Sequence, residues 1–162
     1  MAKTEFHFDK RAADIAQRFF ERILRHTKGE WSGKLFKLPK WQRDVTRDIF
    51  GWKRADGTRR YRTVYIEIPR KNGKTTWAAG IPLFSLFADD EPGAEVYSAA
   101  ADREQASLVF NTAKEMFEQA PELQEHGQAF KRIIVSNGFP QGVYRVLSAD
   151  AYTKHGLNAS CI

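Results

Sequence analysis

The residues whose types and spacing could do chemistry lie in one run, Tyr61-Arg-Thr-Val-Tyr-Ile-Glu-Ile-Pro-Arg-Lys-Asn-Gly-Lys-Thr-Thr76. Val64, Ile66 and Ile68 alternate with Tyr65 and Glu67, which is the period of a half-buried strand. A tight polar turn follows, and Gly73, Lys74 and Thr75 then open a helix. That layout suits phosphate. Backbone N–H groups of the turn and of the helix start face an anion, the Lys74 ammonium reaches the β- and γ-phosphates, and the Thr75 hydroxyl is offered to Mg²⁺. A lysine at a helix start, where the dipole disfavours cations, is out of place without a phosphate. The usual pattern carries a further glycine five residues before Gly73; here that position is Ile68, followed by Pro69. A bare Gly-Lys-Thr is a weak signal, and the elements on either side of it give it weight. The competing readings are a solvated Lys74 and a Thr75 hydroxyl bonded to the local backbone.

The elements that must position this loop can be read from periodicity. Asp9 is a candidate N-cap for a helix to about Arg25, with Ala12, Ile15, Ala16, Phe19, Phe20, Ile23 and Leu24 at helical spacing. A loop rich in glycine and lysine spans Lys28 to Lys37. A second helix starts after Pro39 and runs to Phe50, with Trp41, Val45, Ile49 and Phe50 near one side. Gly51 to Arg60 reads as a polar turn. The helix after Lys74 is almost wholly apolar from Trp77 to Phe87, and Pro82 inside it implies a kink or a break. Glu95 to Ala100 is a short strand, and Asp102 caps a helix to about Gln119 with Ala106, Val109, Phe110, Ala113 and Phe117 inward. The order βαβα predicts right-handed crossovers in a parallel sheet. Lys131 to Ser136 and Val143 to Ser148 form a hairpin around Asn137 to Gly142. Ala149 to Asn158 is polar, and Ala159 to Ile162 reads as the first half of a buried strand.

The chain of 162 residues is about one domain, with hydrophobic content of 42% and charged content of 28%. No apolar run approaches the ~20 residues of a membrane span, and the first residues lack the apolar core of a secretory signal. Cys161 is the single cysteine, which rules out disulfides within the chain and suits a reducing compartment. A net charge of +6 permits a polyanionic partner without demanding one.

Four stretches, in order, resemble the large terminase subunit of tailed bacteriophages, the ATPase that drives DNA into capsids. Leu38-Pro-Lys-Trp-Gln-Arg43 is similar to the glutamine motif ahead of the loop. Ile68-Pro-Arg-Lys-Asn-Gly-Lys-Thr75 resembles that family's variant phosphate loop, which lacks the first glycine and carries an arginine. Tyr97 to Ala106 resembles the strand and helix that follow, and Leu147 to Asn158 the segment leading to an acidic strand. The resemblance implies a P-loop NTPase-like α/β fold, with a mostly parallel sheet and flanking helices. Residues 1–60 would be a helical lead-in carrying the glutamine motif, and residues 61–162 an incomplete α/β core. It implies ATP and Mg²⁺ as ligands, held by Gln42, Arg70, Lys71, Asn72, Gly73, Lys74, Thr75 and Thr76. Lys74 and Arg70 would be the catalytic cations and Thr75 the metal ligand. Double-stranded viral DNA, the portal protein and the small terminase subunit would be the partners of a full-length protein in the host cytoplasm, with no membrane involved. In the family the strand begun at Leu157 ends in an Asp-Glu pair that organises Mg²⁺ and the attacking water. That pair and the nuclease domain would lie past Ile162. The 162 residues alone are therefore expected to bind ATP, to turn it over negligibly, and to expose an apolar sheet edge prone to self-association.

Each residue also has a plainer reading. Gln42 offers a donor and an acceptor that match the N6 and N7 edge of adenine, against an exposed helical glutamine. Arg70 reaches a γ-phosphate or is a surface charge, while Lys71 and Asn72 mainly shape the loop. Trp41 reads as core rather than as an adenine platform, and Glu67 as a solvated or paired strand residue. Lys53, Arg54, Arg59 and Arg60 form a basic cluster that reads as a solvated loop, with DNA phosphates as the alternative. His126 and His155 lack metal-ligand partners at useful spacing and have no assigned role. Two rivals stay open, a truncated non-catalytic prophage relic and part of a helicase-type motor.

Overall fold

In the computed structural model, which describes residues 5–100, 103–147 and 158–162, Asp9 caps the first helix as its side chain demands. The Ala12 N–H donates to Asp9 Oδ1 at 3.0 Å, and α1 (Lys10–Arg22) buries Ala13, Ala16, Phe19 and Phe20. It stops short of the expected Arg25. Beyond Arg22 the backbone turns to local pairing: Phe36 N–H donates to Leu24 C=O at 2.8 Å, and Arg25 bridges Leu35. α2 (Lys40–Gly51) is tied to α1 by Arg47, whose Nη1 meets Asp14 Oδ1 at 2.5 Å and Gln17 Oε1 at 2.8 Å. That hydrogen bond, with the guanidinium's charge, holds the Asp14 carboxyl below its usual range.

A two-stranded antiparallel sheet, β1 (Phe6–Phe8) with β2 (Trp52–Arg54), closes the ends of the helix pair in the register Phe6↔Arg54. The sequence reading placed a polar turn over β2. Three residues carry too little alternation to reveal a strand, and Arg60 supplies what the pattern lacks. Its guanidinium lies 4.5 Å from the Phe6 ring centroid, 5.3 Å from Trp52 and 5.2 Å from Tyr61.

α3 (Lys74–Phe87) is the central helix, burying Trp77, Ala79, Leu83, Phe84, Ser85 and Leu86. It runs through Pro82 without a break, although proline inside a helix costs ~3 kcal/mol. Burial of the helix on nearly every side offsets that cost. Gly80 permits its approach to α1, because a Cβ there would lie 2.2 Å from Phe20 Cε1.

The larger sheet has the order β3-β6-β5-β4. β3 (Glu95–Ser98) pairs in parallel with β6 (Val143–Val146), register Glu95↔Val143. β5 (Ile133–Ser136) runs antiparallel to β6, and β4 (Gly127–Ala129) antiparallel to β5. α4 (Arg103–Glu118) packs against α3 and this sheet, and a short α5 (Pro121–Gln124) leads into β4. The expected hairpin is present. The described sheet is mixed rather than mostly parallel, because antiparallel pairings join β6, β5 and β4. The expected cap Asp102 and the polar segment 149–157 lie outside the described residues.

The strand expected at Val64 to Ile68 does not form. Those residues join no ladder, and among the described residues no backbone–backbone hydrogen bond reaches 61–69. The alternation survives in part: Ile66 and Ile68 are half-buried, while Tyr65 and Glu67 are exposed. What is missing is a backbone partner. Tyr61, Arg62, Val64 and Ile66 line a cavity of about 720 Å³ together with residues 159–162. The 160–161 backbone pairs instead with β3, Tyr97 N–H donating to Cys161 C=O at 2.8 Å and Ser160 N–H to Glu95 C=O at 2.8 Å. Alternation encodes which side chains turn inward; a strand also requires a neighbour at ladder distance.

Candidate phosphate-binding site

The loop before α3 owes its shape to left-handed backbone. Lys71 has φ of 67° and Gly73, the residue preceding the helix, has φ of 72° and ψ of 17°. Glycine adopts that conformation at no steric cost. The Asn72 amide spans the turn from inside, its Nδ2 donating to Pro69 C=O at 3.2 Å and Arg70 C=O at 3.3 Å. Asn72 therefore shapes the loop, as expected of it.

No side chain caps α3. Trp77 N–H is the first in the helix to find a backbone acceptor, Gly73 C=O at 3.0 Å. The N–H groups of Lys74, Thr75 and Thr76 have no backbone acceptor among the described residues. Donors left open in this way at the positive end of a 14-residue helix are the kind of groups that anions accept from. The Lys74 ammonium folds back over the loop, donating to the Ile68 carbonyl and to Pro69 C=O at 2.8 Å. It is half-buried, and among the described residues it is bonded only to neutral carbonyls and has no anionic partner. The Thr75 hydroxyl is exposed beside it, Thr76 is half-buried, and Arg70 and Lys71 are exposed.

Gln42 departs from the exposed alternative: it is 2% exposed. α2 places it against the loop, Nε2 lying 3.5 Å from Asn72 C=O and 3.2 Å from where a Gly73 Cβ would stand. Its Oε1 is buried and accepts no hydrogen bond among the described residues. An acceptor left bare in the interior costs about 1–3 kcal/mol until a donor arrives.

The buried stripe of α2 is Gln42, Thr46 and Phe50 at four-residue spacing, one position over from the expected Trp41, Val45 and Ile49, which are half-buried. Its three members meet the loop and α3 in chain order. Gln42 faces Asn72 and Gly73, Thr46 Oγ1 accepts from Trp77 Nε1 at 2.9 Å, and the Phe50 and Phe84 rings lie 4.4 Å apart. Trp41 packs on Trp77 at 5.7 Å, a core contact. Sequence reasoning missed Thr46 and Trp77. The available signal was their spacing, since Thr46 follows Gln42 by one helical turn and Trp77 follows Gly73 by another.

Glu67 keeps its plainer reading, while Arg59 and Arg60 depart from the solvated loop expected of them. Glu67 is exposed and accepts from Tyr65 Oη at 3.4 Å. Within the basic cluster, Arg60 is held among aromatic rings and Arg59 pairs with Asp89 at 3.1 Å, so both serve packing. His126 is exposed, and His155 lies outside the described residues. Among the described residues no three His, Cys, Asp or Glu side chains come together as a metal site. A Mg²⁺ ion here would take the Thr75 hydroxyl and draw its remaining oxygens from phosphates and water, as that ion usually does.

Comparison with known proteins bears on the arrangement as a whole. Residues 40–162 match the profile of the terminase large subunit ATPase domain, a span that takes in the Gln42 helix, the loop and both sides of the larger sheet. The large terminase subunit of Enterobacteria phage HK97 is 34% identical over 145 residues, 86% of this chain and 27% of that protein. The crystal structure of the HK97 bacteriophage large terminase superposes with a TM-score of 0.72 at 30% identity, covering 91% of this chain and 29% of that one. The chain thus spans between a quarter and a third of the relatives it matches. With a family profile over residues 40–162 and this identity in sequence and fold, the chain belongs to the terminase large subunit ATPase-domain family.

Proposed function

We propose that this chain is the ATP-binding portion of a DNA-packaging motor, a P-loop NTPase-like unit that takes Mg-ATP at the start of α3. The observation that carries the reading is the uncapped N-terminus of α3, where, among the described residues, three N–H groups next to a left-handed Gly73 have no backbone acceptor and a half-buried Lys74 ammonium bonds only to carbonyls. A triphosphate offers each of these groups a charged acceptor. Lys74 would exchange its carbonyls for β- and γ-oxygens, Thr75 would ligate Mg²⁺, and Lys71, Asn72, Gly73 and Thr76 would contribute mainly backbone N–H groups. Arg70, exposed on the loop, is free to swing to the γ-phosphate and stabilise its charge. Gln42, whose amide retains a bare acceptor, is assigned to the base.

Hydrolysis rests in this scheme on positioning and on electrostatic stabilisation of the transferred phosphoryl group. Turnover is proposed for a protein of the relatives' full length, and nucleotide binding for the residues described. Double-stranded viral DNA, a portal and a small terminase subunit are the proposed partners of that longer protein, with the host cytoplasm as its setting. Among the described residues no helix is long and apolar enough to cross a membrane.

Calorimetric titration with Mg-ATP tests the site. Lys74→Ala removes charge-assisted hydrogen bonds worth roughly 1.5–3 kcal/mol and is expected to weaken binding about 10- to 150-fold. Equal affinity in parent and variant would rule the site out.

A further inference from the structure

The structure assigns to Thr46 and Trp77 the role of a positioning pair that sets Gln42 against the phosphate loop, so that reading the base depends on a hydrogen bond one helical turn away from it. The inference rests on the nucleotide site proposed above and names residues that nothing there requires.

Gln42 has no strong tether of its own. Its one polar contact among the described residues, Nε2 to Asn72 C=O, is 3.5 Å long, and no donor among them reaches its Oε1. A side chain so weakly held is placed by the helix that carries it. α2 meets the loop and α3 through four described contacts, and three of them give little directional control: the long Gln42 contact and the Trp41–Trp77 and Phe50–Phe84 ring contacts. Between them, Trp77 Nε1 donates to Thr46 Oγ1 at 2.9 Å. Both residues are almost wholly buried, Thr46 at 1% and Trp77 at 3% exposed. An indole N–H and a hydroxyl in the interior have few alternative partners, so this bond resists a slide of α2 along α3 or a roll about its own axis. Trp77 is in turn fixed to the loop, since its N–H donates to Gly73 C=O at 3.0 Å. Loop backbone, Trp77, Thr46 and Gln42 therefore form one connected path between the phosphate end and the base end of the site.

A merely structural bond would stabilise the fold and leave nucleotide choice alone. The two roles separate when ATP and GTP affinities are measured together by calorimetric titration, with thermal melting alongside, for the parent, Gln42→Ala, Thr46→Val, Thr46→Ser and Trp77→Phe. Thr46→Val keeps the shape and removes the acceptor; Trp77→Phe removes the donor. Each is expected to cut the ATP-over-GTP preference about 3- to 10-fold, the range one hydrogen bond commands. Thr46→Ser, which keeps the hydroxyl, is expected to retain the preference. The two disruptive changes combined are expected to cost no more preference than either alone. Should Thr46→Val fail to fold, Trp77→Phe and Thr46→Ser carry the same comparison. If either disruptive variant melts lower but keeps the parent's preference, the pair is structural only and the inference is overturned. A parent that binds ATP and GTP alike overturns the base assignment of Gln42 itself. A preference lost in Gln42→Ala but kept in Thr46→Val overturns only the role given to the pair.

Discussion

At Gly73 two demands fall on one residue. Its φ of 72° is left-handed, and a Cβ would stand 3.2 Å from Gln42 Nε2. An L-residue forced into that region loses about 1–2 kcal/mol, and the added methyl would press on a side chain already short of hydrogen bonds. Gly73→Ala is therefore expected to lower stability by about 1–2 kcal/mol in denaturant unfolding, and to weaken Mg-ATP binding beyond that loss. The second effect follows from geometry: relief of the strain rotates the N–H groups of Lys74 to Thr76 away from their common focus. A variant that unfolds earlier but binds Mg-ATP as the parent does would show that the loop tolerates other conformations. Lys74 illustrates a different residue-scale point. The sequence marked it as a candidate phosphate ligand but gave no sign of its resting place over the Ile68 and Pro69 carbonyls, because carbonyl acceptors in a turn leave no mark on side-chain sequence.

Among the elements, helices announced themselves and short strands did not. α1, α2, α3 and α4 each carry three or more turns of apolar repeat, so their existence could be read directly, to within a few residues at the ends. β1, β2 and β4 are three residues each, too short for alternation to register. The run 64–68 had the alternation and still formed no strand, since ladder pairing depends on a neighbour that local pattern does not encode. The loop and Gln42 stood out as candidates because their residue pattern is local, whereas Thr46 did not, because a threonine on a helix looks the same whether it faces water or an indole. Gly80 is the element-scale feature most open to test. α1 and α3 meet there, where a Cβ would lie 2.2 Å from Phe20 Cε1 and 2.9 Å from Leu24 Cδ1. Overpacking of this kind typically costs about 1–3 kcal/mol, and it outweighs the ~1 kcal/mol that alanine gains over glycine inside a helix. Gly80→Ala is thus expected to destabilise, with Phe20→Leu restoring part of the loss in the double variant. A stabilised Gly80→Ala would mean that α1 shifts freely against α3.

Across the whole molecule, Arg59 joins parts that the sequence keeps far apart. It follows β2, pairs with Asp89 just past α3 at 3.1 Å, donates to Ser160 C=O at 3.3 Å and lies 5.8 Å from the Phe50 ring centroid. Sequence reading made it a solvated turn charge, since its partners are remote in the chain. Burial pushes the Asp89 carboxyl above its usual range, with Arg59 pulling it back and Glu91 and Asp90 adding to the rise. Removing the guanidinium leaves that carboxylate in the interior without its counter-charge. The side chains are 25% and 14% exposed, so Arg59→Ala is expected to cost about 2–3 kcal/mol near neutral pH, toward the low end for breaking a buried pair. The pH dependence has a definite sign. A carboxyl whose folded pKa is raised binds its proton more tightly in the native state, so its penalty is full above the folded value and disappears as pH falls toward the ordinary value of 3.8. Without Arg59 the folded value rises further, and the stability gap between parent and variant should narrow as pH falls from about 7 toward about 4.5. Adding Asp89→Asn to the variant should remove that narrowing, because the carboxyl that Arg59 pairs with no longer titrates. Denaturant unfolding of the three proteins across this range gives the comparison, and a gap that stays constant or widens on acidification would show that Asp89 is not the group Arg59 restrains.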